Sequence, residues 1–183
     1  MDTRHIPPAS IAARWNASDQ AVDLVIDGRA VIDIVDPQKQ WGVSPFARRF
    51  RRAAARGWLS RYRGVFDGRD ERLLEGELEI AVCGACGDRG CGNLAVYVDM
   101  DADTVVWRQP HWAGDDEEDD EEPGPDDPES LLPQVLVFGR AEYDAALADA
   151  ERFINRPGWR RETPEAAIWP NWLRNRFTRL WAK

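Results

Sequence analysis

The chain has few of the side chains on which common enzyme sites depend. Its 183 residues include two histidines, His5 and His111, so a histidine-based catalytic triad has almost no candidates. No glycine-rich segment is followed by the helix and lysine of a phosphate-binding loop. Paired acidic side chains are abundant, but most of the pairs stand in one solvated run that is poorly suited to general acid catalysis. The sequence therefore favours a protein that is not an enzyme.

Long apolar stretches are also missing. No run approaches the roughly 18 apolar residues of a membrane-spanning helix. Residues 1–5 lead into Pro7 and Pro8 rather than into an apolar segment, so no secretory signal is predicted and we expect a cytoplasmic protein. With 43% hydrophobic residues and nine tryptophans, the chain can bury a sizeable core. We predict a single domain over residues 1–183.

Cysteine is scarce, and its distribution is uneven. Cys83, Cys86 and Cys91, the three cysteines of the chain, lie within ten residues that also contain four glycines. An odd number of cysteines so close together fits a metal or thiol site better than the disulfide framework of a secreted protein. Residues 83–87, C-G-A-C-G, have the form of a zinc knuckle, in which two thiolates share one metal and the last glycine allows a positive φ.

Alternating apolar side chains on both sides of the cysteines predict an antiparallel meander. Turns at the cysteine loop and between Asp101 and Ala102 set the register, which pairs Ile80 with Leu94 and Val98 with Val105. A fourth strand is expected over residues 131–138. The register places eight apolar side chains on one face, namely Leu78, Ile80, Val82, Leu94, Val96, Val98, Val105 and Trp107.

The same register supplies a fourth metal ligand, because it pairs Gly92 with His111 and so places His111 beside Cys91. Cys83, Cys86, Cys91 and His111 together would form a Cys₃His site for a structural zinc, with Asp88 as an alternative oxygen ligand. Two other interpretations stay open. The cysteines could be small, half-buried apolar side chains in a turn, or they could form a redox site, as a reactive C-x-x-C pair or a Cys83–Cys91 disulfide.

A wider pattern contains the cysteine motif. The residues that carry it are Cys83, Cys86, Gly87, Asp88, Gly90, Cys91 and Gly92, then 103–107, then Phe138, Arg140, Tyr143 and Leu147. Over residues 73–147 this pattern resembles an uncharacterised family of small bacterial proteins with a C-x2-C-G-D-x-G-C-G hairpin. No activity is established for that family, so the resemblance implies the architecture of the sheet and no function.

The rest of the chain supplies helices. Ser44 and Pro45 are typical of a helix start, and this helix is expected to run to about Arg56. A second helix is predicted over residues 140–154, with Tyr143, Leu147, Ala150 and Ile154 on its inner face. Asp27-Gly28 predicts a hairpin followed by a strand or a short helix, and residues 1–20 an arm. The predicted fold is α+β: an antiparallel meander of three to five strands with helices packed on its apolar face.

Charge is distributed as unevenly as cysteine. The net charge is −9, yet residues 73–151 carry 3 basic and 22 acidic side chains, and both flanking segments are basic. The run from Asp115 to Glu122 is entirely acidic, and residues 113–130 are predicted to be a disordered loop. Such a run could dock a basic protein, as immunity-type inhibitors do. The arginines over residues 44–56 and 168–183 are typical of helices with one buried face, so nucleic-acid binding is not favoured.

Three functional hypotheses follow from these features. The first is a non-catalytic, soluble binding protein that uses its acidic run to hold a basic partner. The second is a small module stabilised by zinc at the cysteines. The third is a thiol-redox protein or another enzyme. The composition favours the first, and the sequence does not indicate an oligomeric state.

Overall fold

The computed structural model describes residues 6–66, 76–87, 91–113, 124 and 127–159 of the chain. Over these residues the chain forms two antiparallel sheets and four helices. This is an α+β fold, which confirms the predicted class. Among the described helices, none is both long and apolar enough to cross a bilayer.

The first sheet has three strands in the order β1-β2-β3, and the second has five strands in the order β4-β5-β6-β7-β8. The strands are β1 (Ile11–Asn16), β2 (Ala21–Ile26), β3 (Arg29–Ala30), β4 (Gly42–Val43), β5 (Glu77–Cys83), β6 (Asn93–Met100), β7 (Thr104–Ala113) and β8 (Val135–Gly139). The helices are α1 (Val31–Val35), α2 (Arg52–Tyr62), α3 (Pro128–Leu131) and α4 (Arg140–Ile154). Strands β5 to β8 form the predicted meander, and β4 adds a short edge strand.

The main core joins the five-stranded sheet to α4 and to the three-stranded sheet. Trp107 of β7 is 1% exposed, and the rings of Tyr62, Phe138 and Tyr143 stand around it at centroid distances of 6.0, 5.1 and 6.3 Å. Edge-to-face contacts of this kind add to the gain from burial itself. Helix α4 has the predicted bounds, and its four predicted inner-face residues are buried.

The predicted register between β5 and β6 is partly wrong. Leu78 pairs with Val96 as expected, but a bulge between Glu79 and Ala81 shifts the register, so Ala81 rather than Ile80 pairs with Leu94. The bulge also divides the eight apolar side chains. All eight are buried, but Val82 joins a separate small cluster instead of the main core. An inserted residue reverses the alternation beyond it, which a strict period of two cannot anticipate.

The predicted register between β6 and β7 is wrong by two residues, because Val98 pairs with Trp107 and Met100 with Val105. The reason lies in the turn, where the Asp101 carboxylate accepts hydrogen bonds from the backbone N–H groups of Asp103 (2.8 Å) and Thr104 (2.6 Å). These bonds hold the pKa of Asp101 below its usual range. A shift of two residues keeps every side chain on its face, so the apolar pattern fits both registers equally well.

Two other predictions are wrong. The expected arm over residues 1–20 contains β1, and the helix expected from Ser44 begins at Arg52 instead. Residues 44–48 run alongside β2, where Val22 N–H donates to the Phe46 carbonyl (3.0 Å) and Ser44 Oγ donates to the Val22 carbonyl (2.6 Å). Pairing with another segment therefore overrides a local helix signal.

The remaining differences are at element ends. The hairpin turn has positive φ at Asp27 (48°) and Gly28 (84°), as predicted, and the run after it is two strand residues followed by α1. Strand β8 begins at Val135 rather than at residue 131, because α3 occupies the preceding residues. The acidic run from Asp115 to Glu122 and the basic segment 168–183 lie outside the described residues.

Candidate metal centre

The cysteine loop joins β5 to β6. Its first part is a tight turn, in which Gly87 N–H donates to the Cys83 carbonyl at 2.9 Å. Gly87 has a φ of 68°, and a Cβ there would lie 2.6 Å from Cε1 of Phe50. Both the backbone conformation and the close approach of Phe50 therefore require glycine at this position. The turn brings Cys86 back towards Cys83, as the knuckle pattern predicts.

The structure brings the three predicted cysteine ligands together. Their sulfur atoms all lie within 4.8 Å of one another, and the Sγ atoms of Cys86 and Cys91 are 3.3 Å apart. Tetrahedral zinc with Zn–S bonds of about 2.3 Å places its sulfurs about 3.8 Å apart, so small shifts would fit the cluster to one ion. All three are in the thiol form rather than in a disulfide; Cys83 is half-buried, and Cys86 and Cys91 are exposed.

Backbone N–H groups and the neighbouring thiol groups give Cys83 and Cys91 different pKa values. The backbone N–H groups of Cys86 and Ala85 point at the Cys83 sulfur and lower the pKa of that thiol to about 7. At Cys91, the hydrogen bond to Cys86 and the charge on Cys86 raise the pKa of the thiol to about 11. The cluster therefore forms its first thiolate easily and its last one with difficulty. A divalent cation would relieve that repulsion, which couples metal binding to proton release.

A buried hydrogen-bond chain fixes the end of β5 beneath the loop. Asn93 is fully buried; its Oδ1 accepts from Cys83 N–H (3.0 Å), and its Nδ2 donates to Glu79 Oε1 (2.7 Å). The other oxygen of Glu79 accepts from Trp58 Nε1 at 2.6 Å and lies 3.9 Å from the Arg61 guanidinium. Outer partners of this kind orient the groups that bind a metal.

The alternation of apolar residues along β5 does not predict this chain of hydrogen bonds. Alternation along β5 places Glu77 and Glu79 on a solvent-facing side, yet they are 3% and 1% exposed. The position of β5 within the fold could have predicted this burial. A strand that has a neighbour on each side and a helix packed over it buries its polar side chains as well as its apolar ones. Glutamates in such a strand imply buried hydrogen-bond partners.

The other side of the loop rests on β4. Gly42 pairs with Cys83, Gly84 N–H donates to the Trp41 carbonyl (2.9 Å), and the Arg49 guanidinium donates to the Gly84 carbonyl. The loop is therefore attached on one side through Asn93 and on the other through the residues around β4. The sulfur positions are fixed by the fold as well as by the turn itself.

His111 lies elsewhere on the sheet. It pairs with Ala95, and its Nε2 and Nδ1 lie 2.8 Å from Glu77 Oε1 and 2.7 Å from the Gln109 carbonyl oxygen. Its ring stacks on Tyr97 with a centroid distance of 4.6 Å. The predicted pairing of Gly92 with His111 is therefore wrong, since a second bulge adds to the two-residue register error. The group of sulfurs does not include His111, and Asp88 lies outside the described residues.

Three arginines in and just before α2 have hydrogen-bond partners within the protein. Arg48 and Arg52 donate to the carbonyls of Pro157 and Arg156, both at 3.1 Å, and Arg56 donates to Asn155 Oδ1 at 2.8 Å. These acceptors follow the C-terminus of α4, where cations are favoured by the helix dipole. The basic residues around α2 thus hold the end of α4.

No protein-family model matches the chain, and neither a curated protein nor a solved structure shows significant similarity to it. Function is therefore inferred from the chemistry of the site alone.

Proposed function

We propose that the chain is a metal-binding protein in which Cys83, Cys86 and Cys91 hold one zinc ion that stabilises the β5–β6 loop. The observation that carries this proposal is the convergence of three sulfurs within 4.8 Å on a loop attached to the sheet. Thiolates are soft ligands that favour zinc over magnesium or calcium. The two N–H groups directed at Cys83 favour the thiolate form that a metal requires.

The role of the metal is structural. Within the described part of the chain, no histidine or carboxylate joins the three sulfurs, so no general base stands beside a metal-bound water. The turn is held by few hydrogen bonds of its own, and a metal would join residues on both sides of the loop. Asp88 or a water molecule would complete the tetrahedron.

Metal analysis of the full-length protein tests the proposal. We expect about one zinc per chain by mass spectrometry when the protein is purified under reducing conditions. Cys86→Ser should lose the metal, and Ala85→Ser is the matched control because it alters the same turn and keeps all three sulfurs. Chelation should lower the melting temperature of the parent and the control but not that of Cys86→Ser. Protein with three reduced thiols and no metal would refute the proposal.

Asp88→Ala then identifies the fourth ligand. If Asp88 binds the ion, the variant should lose zinc affinity, measured by competition with a chromophoric chelator. If water completes the site, the affinity should stay unchanged. His111→Ala is the companion variant, and it should retain zinc because His111 is hydrogen-bonded to Glu77 away from the sulfurs.

A thiol-redox role is the second candidate, favoured by the 3.3 Å separation of the Cys86 and Cys91 sulfurs. Thiol–disulfide exchange with oxidised glutathione would join these two cysteines and release two molecules of reduced glutathione. Peptide mapping after treatment distinguishes the candidates. A redox protein should give a Cys86–Cys91 disulfide with the zinc-free chain as its working form, whereas a zinc protein should resist oxidation while the metal is bound.

The basic partner stays a prediction, because the run from Asp115 to Glu122 lies outside the described residues. If the acidic run binds such a partner, deleting residues 115–127 should abolish capture of that partner at physiological salt. Unchanged capture would contradict it.

A further inference from the structure

A cavity of about 180 Å³ lies between β2, α1 and β4, and none of the three cysteines lines it. Its polar wall is formed by Asp19, Asp23, Lys39, Ser44 and Arg49, and its apolar wall includes Ala21, Ile32 and Val43. An engineered cavity of about 150 Å³ is known to hold a benzene molecule. The cavity can therefore accept a ligand of a few carbon atoms.

Asp23 is the unusual member of this wall. Asp23 is 2% exposed, and its Oδ2 accepts a hydrogen bond from Asn16 Nδ2 at 2.9 Å. The other oxygen, Oδ1, is buried and has no hydrogen-bond partner among the described residues. Burial raises the pKa of Asp23, and the charges on Asp33 and Asp19 raise it further. Buried carboxylate oxygens normally have partners, so this one is poised to accept a donor.

The neighbouring charges do not supply that donor. Lys39 Nζ lies 3.0 Å from Asp19 Oδ2 and 3.6 Å from Asp33 Oδ1, so its charge is already balanced at the surface. Arg14 pairs with Asp23 across the strands, but its attraction is smaller than the opposing effect of Asp33 or of Asp19. Arg49, which also lines the cavity, donates to the Gly84 carbonyl, so Asp23 has no basic side chain within ion-pair distance among the described residues.

We propose that this cavity binds a small aliphatic ammonium ligand, a monoamine or diamine, whose ammonium group donates to Asp23 and whose carbon chain contacts Ala21, Ile32 and Val43. An ammonium group has three donors and no acceptor, which matches the unpartnered carboxylate oxygen of Asp23. A hydrogen bond between charged partners is stronger than a neutral one, and burial at Asp23 strengthens it again.

On its inner side, Asp23 also borders a void of about 10 Å³, which is the size of one water molecule. An aspartate that served only to hold such a water would be a structural residue. Asp23→Asn distinguishes the two roles, because it should lower the melting temperature of the ligand-free protein only if Asp23 is a structural residue.

The test is a titration of the full-length, metal-replete protein with n-butylamine and with putrescine, followed by two-dimensional NMR at constant ionic strength. We expect saturable shifts of backbone signals in β2 and β4, and none with butan-1-ol, which has the same carbon chain and no charge. Asp23→Asn should weaken amine binding roughly 10- to 100-fold, the worth of one charged hydrogen bond. Asp33→Asn removes the same charge from a half-exposed side chain that does not line the cavity, and it should change the affinity less than about twofold.

Equal shifts with amine and alcohol, or unchanged binding by Asp23→Asn, would overturn the proposal. Should Asp23→Asn fail to fold, Val43→Phe fills the cavity while keeping the carboxylate, and it should abolish amine binding. Melting temperatures add an independent readout. Ligand-free Asp23→Asn should melt at or above the parent temperature and should lose the stabilisation by amines. A large decrease, together with no amine effect on the parent, would assign Asp23 a purely structural role.

Discussion

The region beneath the cysteine loop and the region around the β2 cavity each contain a deeply buried carboxylate, with opposite surroundings. Glu79 has hydrogen-bond donors at both oxygens, from Asn93 (2.7 Å) and Trp58 (2.6 Å). Asp23 has Asn16 at one oxygen and no donor among the described residues at the other. Exposure alone does not separate them, at 1% and 2%.

The difference concerns what each carboxylate does for the folded chain. Glu79 accepts from Asn93, which in turn accepts from the backbone of Cys83, and its other oxygen accepts from Trp58, so the fold uses both Glu79 oxygens. Asp23 keeps one oxygen to which no described residue donates. A buried polar group whose partners are all internal indicates a structural role, whereas one with an unused acceptor at a cavity indicates binding.

Removing Glu79 should produce the largest effect. Glu79→Ala leaves the Asn93 amide and the Trp58 indole without their acceptor, so we expect a loss of about 3–5 kcal/mol in the free energy of unfolding. Urea denaturation measures this loss. Glu151→Ala is the control, since it breaks an exposed pair with Arg63 and should cost about 0–1 kcal/mol. A loss below 1 kcal/mol for Glu79→Ala would mean that Glu79 has no larger structural role than Asp23.

Truncating Asn93 should produce an intermediate effect. Asn93→Ala frees the Cys83 N–H and one oxygen of Glu79, which should cost about 1–3 kcal/mol in urea denaturation. Because Asn93 also holds the end of the strand that carries Cys83, zinc affinity should fall roughly 10- to 100-fold. Asn155→Ala, in an exposed position, should leave zinc affinity unchanged. Unaltered zinc binding in Asn93→Ala would separate the buried chain from the metal site.

The cysteines should also respond to pH in a fixed order in the metal-free protein. Alkylation of Cys83 by iodoacetamide should rise through about pH 7, whereas Cys91 should stay unreactive until about pH 11. Since folding lowers the pKa of Cys83 from 9, its contribution to stability is complete above pH 9 and is lost as the pH falls through 7. Site-resolved mass spectrometry gives the order. Equal rates for the two cysteines at pH 8 would contradict the unequal proton distribution.

Sequence patterns predicted those features that depend on local periodicity. The bounds of α4 follow from one amphipathic stripe, and the meeting of the three cysteines follows from their spacing around a glycine turn. The position of His111 depended instead on the exact register of β6 and β7. The Asp101 turn shifts this register by two residues without changing the apolar face, and a bulge then shifts it by one more residue. The buried chain at Glu79 was equally hidden, because alternation cannot show that a second layer covers a polar face.

The smallest effect on stability is expected at Asp23, and it tests the comparison between Asp23 and Glu79 most directly. Asp23→Asn keeps the shape of the side chain and can still accept from Asn16, but it removes a buried charge whose second oxygen has no donor among the described residues. The variant should therefore be as stable as the parent or about 1 kcal/mol more stable, in the absence of amine, by urea denaturation at pH 7. Glu79→Gln is the matched change at the other carboxylate, and it should be destabilising, because an amide nitrogen would face one of the two donors that a carboxylate satisfies. If both amides destabilise the chain equally, the unused acceptor of Asp23 is needed for folding and the distinction between the two regions fails.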